Sequence, residues 1–220
     1  MKSGIDVILV DDHQVVINGL KVSILSKQDF NLLGEARSGQ ELFSLLKDHI
    51  PDVLVLDLVL PDISGADIIK KLNHMGLHIH ILIFTGNTPD SLLLEALENG
   101  ALGLVSKDAP IPEIEKAIRL TAKGESYFGE DIRDEIIFAF IKKNKQNTIP
   151  DKSLVNLLSR REIEIIRLLA QGLVVKEIAF QLGISAHTVE SHKKNILAKL
   201  HLNTVIDVVK FAVKAGLISL

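Results

Sequence analysis

The sequence predicts two domains of different class. One is an α/β domain on a buried parallel sheet over residues 1–127; the other is all-helical over residues 154–220; a linker over 128–153 joins them. Three observations carry this. In the first part five short apolar runs alternate with five helical patterns, the mark of βα units rather than hairpins. From residue 154 onward every apolar periodicity is helical. The charge also reverses: residues 1–127 hold 11 Lys and Arg against 18 Asp and Glu, whereas residues 154–220 hold 9 against 5. An acidic module joined to a basic one implies a regulatory or catalytic unit attached to a nucleic-acid binder.

Composition narrows the class. The chain has 220 residues, 47% of them hydrophobic, enough for two packed cores. No apolar run approaches the roughly 20 residues of a membrane span, so no membrane partner is expected. The start, MKSGIDVILVDD, meets two acids after a short apolar run, unlike a secretion signal. Cysteine is absent, which excludes disulfides and thiolate metal sites and makes a cytoplasmic address the simplest expectation.

Taken in order, the expected strands are Ile5–Val10, Leu32–Ala36, Val53–Leu56, Ile79–Phe84 and Leu102–Val105. The expected helices between and after them are His13–Ser26, Gln40–Ile50, Ala66–Met75, Asp90–Asn99 and Pro112–Lys123. Ser38 with Glu41 reads as a capping box, and Pro89 suits a helix start after Thr88. Gly76, Gly100 and Gly124 stand just past helix ends, where a left-handed residue is wanted. Five such units make a doubly wound parallel sheet with right-handed crossovers, and a flavodoxin-like order 2-1-3-4-5. In the linker, 128–143 could form one more short helix and 144–153 has the polar, Pro-containing look of a flexible segment. The second domain reads as Arg160–Gln171, Lys176–Leu182, Ala186–Leu200 and Thr204–Ala215, with a capping box at Ser159 and Glu162. A tight turn at Gly183–Ser185 between two close helices reads as a helix-turn-helix, within a four-helix domain.

The first domain is organised around Val53–Gly65. Four apolar residues form a strand buried on both faces, and the strand ends in Asp57; a turn with Pro61 follows, and Gly65 opens the next helix. The proposed order gathers Asp11, Asp12, Asp57, Thr85 and Lys107 at the carboxyl edge of the sheet, where open α/β folds place their chemistry. One acid to be modified, two to hold a cation, one hydroxyl and one ammonium form a phosphoryl-transfer constellation. Two carboxylates 4 Å apart repel by about 4 kcal/mol at an effective dielectric of 20, which a hard divalent cation would remove. His13 is expected to start a helix rather than bind metal, and His74, His78 and His80 lack partners at ligand spacing.

The pattern Asp11-Asp12, Asp57-x-x-x-Pro61-x-x-x-Gly65, Thr85 and Lys107-Asp108 resembles the receiver domain of two-component response regulators. The resemblance implies that Asp57 accepts a phosphoryl group from a partner histidine kinase. It implies further that Asp11, Asp12 and Asp57 hold Mg²⁺, that Thr85 bonds the phosphoryl group and that Lys107 pairs with it. Leu104 departs from the family, which often has an aromatic residue there. The expected switch therefore runs through Thr85 and backbone shifts rather than through a moving ring.

The run from Leu158 to Leu200 resembles the DNA-binding domain of LuxR-type regulators, through R-E, G-x-x-x-K-E-I-A, L-x-I-S-x-x-T-V, H, I and K-L in order. With the receiver, the whole chain resembles a NarL/FixJ-type response regulator. On a helical wheel of Ala186–Leu200, Val189, Ile196 and Leu200 face inward, with Leu197 nearby. Glu190, Ser191 and Lys194, with His187 beside them, face outward toward base edges. Lys176, Thr188, Lys193 and Lys199 suit backbone phosphates. Glu190 stands where the family often has a basic residue, so the preferred base sequence is left open. The last helix carries Val205, Val208, Val209, Ala212 and Val213; in related regulators it pairs two copies on DNA, and a surplus apolar stripe fits that.

The resulting expectation is a phosphorylation-controlled transcriptional regulator and not an enzyme. Its partners would be a sensor histidine kinase, DNA with two half-sites, a second copy recruited on phosphorylation, and RNA polymerase. A Mg²⁺-dependent phosphohydrolase with an aspartyl nucleophile would explain Asp57 but not the basic helix-turn-helix. A receiver indifferent to phosphate, acting only in dimerisation, has Leu104 as its one support.

Overall fold

Val53, Leu54, Val55 and Leu56 are all buried, as a strand with helices on both faces requires. The computed structural model of the chain describes residues 4–86, 88–129, 152–202 and 205–218. The chain divides into two compact units, Met1–Ile132 and Arg133–Leu220, each taken by itself below.

In the first unit the elements run β1 (Ile5–Val10), α1 (Gln14–Leu25), β2 (Phe30–Ala36), α2 (Gly39–Leu45), β3 (Val53–Leu56), α3 (Gly65–His74), β4 (His80–Thr85), α4 (Asp90–Glu98), β5 (Gly103–Ser106), α5 (Ile111–Ala122) and β6 (Tyr127–Phe128). All strand pairs are parallel, in the order β2-β1-β3-β4-β5-β6. The expected order 2-1-3-4-5 is therefore present, with a sixth strand at the edge. Two residues are too few to show a periodicity, so Tyr127 and Phe128 carried no strand signal. A boundary after residue 127 would divide that strand. Gly103 is matched to this edge, since a Cβ there would lie 3.0 Å from the Tyr127 carbonyl oxygen and 2.9 Å from Leu82 Cδ1.

Register does the positioning. Val10 pairs with Leu56, Leu56 with Ile83, and Thr85 with Ser106, so the carboxyl ends of four strands lie side by side. The helices follow the expected places with ends shifted by a residue or two, apart from α2. That helix stops at Leu45, because the chain tightens into i to i+3 bonds, Lys47 N–H to Ser44 O and Asp48 N–H to Leu45 O, before Pro51. Its start is held twice. Ser38 Oγ accepts the Glu41 N–H at 3.2 Å, and the Asp62 carboxylate, from the loop after β3, accepts the Gly39 and Gln40 N–H groups at 2.9 Å each. The Glu41 carboxylate takes the Arg37 N–H rather than that of Ser38, so the expected capping box is half formed.

The second unit contains α6 (Lys152–Val155), α7 (Arg160–Ala170), α8 (Val175–Leu182), α9 (Ala186–Leu200) and α10 (Val205–Lys214). Ser159 and Glu162 form the full capping box at the start of α7. Gly183 takes φ +63°, the left-handed conformation that ends α8 and allows the tight turn into α9. The core joins Ile165, Ile166, Ile178, Val189 and Ile196 to the last helix. Here one expectation is corrected. Val205, Val208, Val209 and Ala212 are buried among α7 and its neighbours, so they are core of their own domain and not a free stripe for a second copy. A domain this small has few residues to seal its core, and the last helix is spent on that. Lys152–Val155 adds a helical turn across the expected boundary between the flexible segment and the second domain, while the expected helix within 128–143 lies outside the described residues from 130 onward.

Candidate phosphoacceptor site and nucleic-acid interface

The third strand ends by handing its last backbone group to the first: Asp57 N–H bonds the Val10 carbonyl at 2.8 Å, which sets Asp57 beside Asp11. Both carboxylates are buried, and an unpartnered buried carboxylate is costly. Their partner is Lys107, at the end of β5, whose N–H is anchored to the Thr85 carbonyl at 2.7 Å. The Lys107 ammonium lies 2.5 Å from Asp57 Oδ2 and 2.7 Å from Asp11 Oδ2. Burial works against its charge, but the hydrogen bonds it donates to Asp11 and Asp57 and their negative charge outweigh that and hold Lys107 above its ordinary pKa of 10.5. The other Asp57 oxygen accepts the Val59 N–H at 3.1 Å. Gly65 lets this corner close: a Cβ there would sit 2.7 Å from Leu58 Cα and 2.8 Å from the Asp57 carbonyl oxygen.

Oxygen donors from Asp11, Asp12 and Asp57, with a ring nitrogen of His13, lie within 4.8 Å of one another. Two buried carboxylates and one exposed carboxylate suit a hard divalent cation that keeps part of its water shell. His13 does start α1, as expected, with its N–H on Asp11 Oδ1 at 2.9 Å. Its imidazole also turns back to the acids, with Nδ1 2.6 Å from Asp12 Oδ1 and 3.2 Å from Asp11 Oδ1. Sequence reasoning missed this, although an adjacent Asp-Asp-His was there to be read. Thr85 is buried, and its hydroxyl bonds the hydroxyl of Thr88, which the sequence marks only as the position before a helix start. Leu104 is fully buried on β5.

On α9 the division of faces matches the helical wheel. Val189, Ile196 and Leu200 are buried, and His187, Ser191 and Lys194 are exposed. Lys176, near the start of α8, is exposed as well. Four other residues are more engaged than the sequence implies. The Glu190 carboxylate pairs with Lys193 at 3.2 Å, and the Lys193 side chain is only 13% exposed. Thr188 belongs to the cap of α9: its N–H bonds Ser185 Oγ at 3.0 Å and its hydroxyl meets Ser185 Oγ at 2.7 Å. Lys199, expected at a phosphate, instead meets the buried Glu162 carboxylate at 2.7 Å. At the opposite end of the exposure scale, Phe180 on α8 is 91% exposed.

Comparison with known proteins assigns the two units. Residues 7–119 match the response regulator receiver domain, and residues 156–212 match the luxR family of bacterial regulatory proteins. The chain belongs to the NarL-type response regulators. It is 32% identical over 213 residues to the oxygen regulatory protein NreC of Staphylococcus haemolyticus, covering 96% of this chain and 98% of that one. Among solved structures it is similar to the response regulator ChrA of a heme-sensing two-component system, at 30% identity and a TM-score of 0.52, covering 99% of this chain and all of ChrA. RcsB of Salmonella enterica serovar Typhimurium, bound to a promoter with a phosphomimetic fluoride, is 26% identical with a TM-score of 0.59, covering 96% of this chain and 99% of RcsB. A NarL-type regulator is a DNA-binding regulator of a two-component system, and this one keeps both working parts. The acidic cluster stands at the receiver's sheet edge, and the helix-turn-helix lies in its luxR-type unit.

Proposed function

We propose that this response regulator takes a phosphoryl group on Asp57 from a sensor histidine kinase and thereby controls its own binding to DNA. The observation that carries this is the Lys107 ammonium shared between Asp57 and Asp11, beside Asp12. A carboxylate oxygen of Asp57 attacks the phosphorus of a phosphohistidine; a P–O bond forms, the P–N bond breaks, and its electron pair returns to the imidazole. Lys107 is then a fixed positive charge against the new oxygens, and the Thr85 hydroxyl a donor to one of them. Asp11, Asp12 and Asp57 would hold Mg²⁺, which when bound shields the carboxylates from the incoming phosphate. The acyl phosphate is labile, so loss of its own phosphoryl group is the only turnover in this reading. The burial of Asp57 and Asp11 limits water at the bond and slows that loss.

The DNA-reading face is the exposed side of α9, with Lys194, Ser191 and Glu190 toward bases and Lys176 and Thr188 toward phosphates, while Lys193 is held by Glu190. The basic balance of residues 154–220 supports this. Two copies on two half-sites, favoured by phosphorylation, would raise affinity without new contacts per domain. RNA polymerase is a further partner of any regulator that acts at a promoter, and the cytoplasm is where such a protein meets its DNA. Among the described residues no helix is long and apolar enough to cross a membrane.

The test is labelling by acetyl phosphate with Mg²⁺, read by intact mass. One phosphoryl group should appear on the wild type and none on Asp57→Ala. Undiminished labelling of that variant would remove Asp57 from the role.

A further inference from the structure

The Thr85 hydroxyl already has a partner. It forms a hydrogen bond with the hydroxyl of Thr88, in the loop between β4 and α4, and among the described residues its other polar neighbour is the Gly86 carbonyl at 3.5 Å. The Thr85 backbone has little freedom, since it pairs with Ser106 and its carbonyl accepts the Lys107 N–H at 2.7 Å. A β-branched side chain on a fixed backbone has few rotamers. Turning its hydroxyl from this position to another rotamer therefore means giving up the Thr88 bond. The Thr88 N–H lies 3.0 Å from the Gly86 carbonyl, and Pro89 then stands at the N-cap position of α4. Leu104, paired with Ile83 on the neighbouring strand, is buried and aliphatic.

We propose that Thr88 is a latch on the switch: its hydroxyl holds Thr85 on the α4 side in the unphosphorylated receiver, and the bond must break before Thr85 can donate to a phosphoryl group on Asp57. Thr88 is then a positioning residue, and breaking its bond is what frees the start of α4 to move. The energetic form is a competent state populated only in part, whose fraction lowers the apparent affinity for the activating group. This inference rests on Asp57 being the phosphoacceptor.

The experiment is titration calorimetry of the full chain with beryllium fluoride in the presence of Mg²⁺, the fluoride complex standing in for the phosphoryl group. Thr88→Val, which keeps the shape and removes the hydroxyl, should bind about fivefold tighter than wild type, the size of one net hydroxyl hydrogen bond. Thr88→Ala should do the same, which covers the case in which valine packs badly. Thr88→Ser, which keeps the hydroxyl, should match wild type. On a Thr85→Ala background, Thr88→Val should add nothing, because the latch has lost what it holds. Unchanged affinity in both hydroxyl-free variants, or tightening that persists without Thr85, would overturn the latch while leaving the phosphoacceptor in place. A wild-type chain that binds no beryllium fluoride would overturn the phosphoacceptor reading and the latch with it.

Discussion

Glu162, in the first turn of α7, and Lys199, in the last turn of α9, meet at 2.7 Å across the second unit. The same carboxylate accepts the Ser159 N–H at 2.7 Å, so one side chain closes the start of one helix and ties it to the end of another. The carboxylate end of Glu162 is buried while the Lys199 side chain is 41% exposed, which makes the pair unequal. Removing the lysine leaves the acid with its helix-cap partner alone. Lys199→Ala should therefore lower the stability of this unit by about 1–3 kcal/mol, nearer the lower figure because solvent screens the exposed partner. A fall in the melting temperature of the second unit, by calorimetry on the full chain, would bear this out. An unchanged midpoint, with weaker binding to every DNA sequence, would return Lys199 to the phosphate-contacting group.

The same pair sets an acid limit. Burial alone would raise the Glu162 carboxyl, but the Lys199 ammonium and the Ser159 N–H outweigh it and hold its pKa below the ordinary 4.5. A depressed folded pKa adds stability that is present above the unfolded value and lost as pH falls through the folded one. The wild type should thus lose stability in the second unit as pH drops below about 4.5, and Glu162→Gln should lose less over that range. Parallel pH curves for the two proteins would argue against this.

How far the sequence carried the structure follows from what each signal depends on. Strands buried on both faces and amphipathic helices announce themselves by period, so the order of elements and the sheet edge with Asp57, Asp11 and Lys107 were legible. What was hidden depends on partners far apart in the chain. Nothing near Lys199 says that Glu162 will reach it, 37 residues away. Val205, Val208, Val209 and Ala212 look the same on a helical wheel whether they face a core or a second copy. Thr88 carried a local signal, a second hydroxyl three residues after Thr85, but its role appears only once β4 has ended beside β5.

Gly65 offers a sharp test of how tightly the corner around Asp57 is built. A methyl group there would press on Leu58 Cα and the Asp57 carbonyl oxygen, both backbone atoms that cannot step aside. Overpacking of this kind costs about 1–3 kcal/mol and moves the backbone. Gly65→Ala should slow labelling by acetyl phosphate even though it removes no polar group. Full labelling at the wild-type rate, measured by intact mass over time, would mean that the loop absorbs the methyl without shifting Asp57.

Two kinds of lysine stand in the DNA-binding unit. Lys176 and Lys194 are exposed, whereas Lys193 is mostly buried against Glu190. A lysine that neutralises a phosphate releases a counterion, and its loss should flatten the logarithmic salt dependence of binding by about 0.9 for duplex DNA. Lys176→Ala should show that change on every sequence alike. Lys194→Ala should instead cost about 1–3 kcal/mol on the preferred site and little on unrelated DNA, as a base contact does. Glu190→Gln gives the internal check, since it removes the charge that occupies Lys193 and should steepen the salt dependence by freeing that ammonium for phosphate. Binding isotherms at several salt concentrations, on a preferred site and on a scrambled one, read all three. If Lys194→Ala left the ratio between the two sites unchanged, the base-reading face would have to be drawn elsewhere on α9.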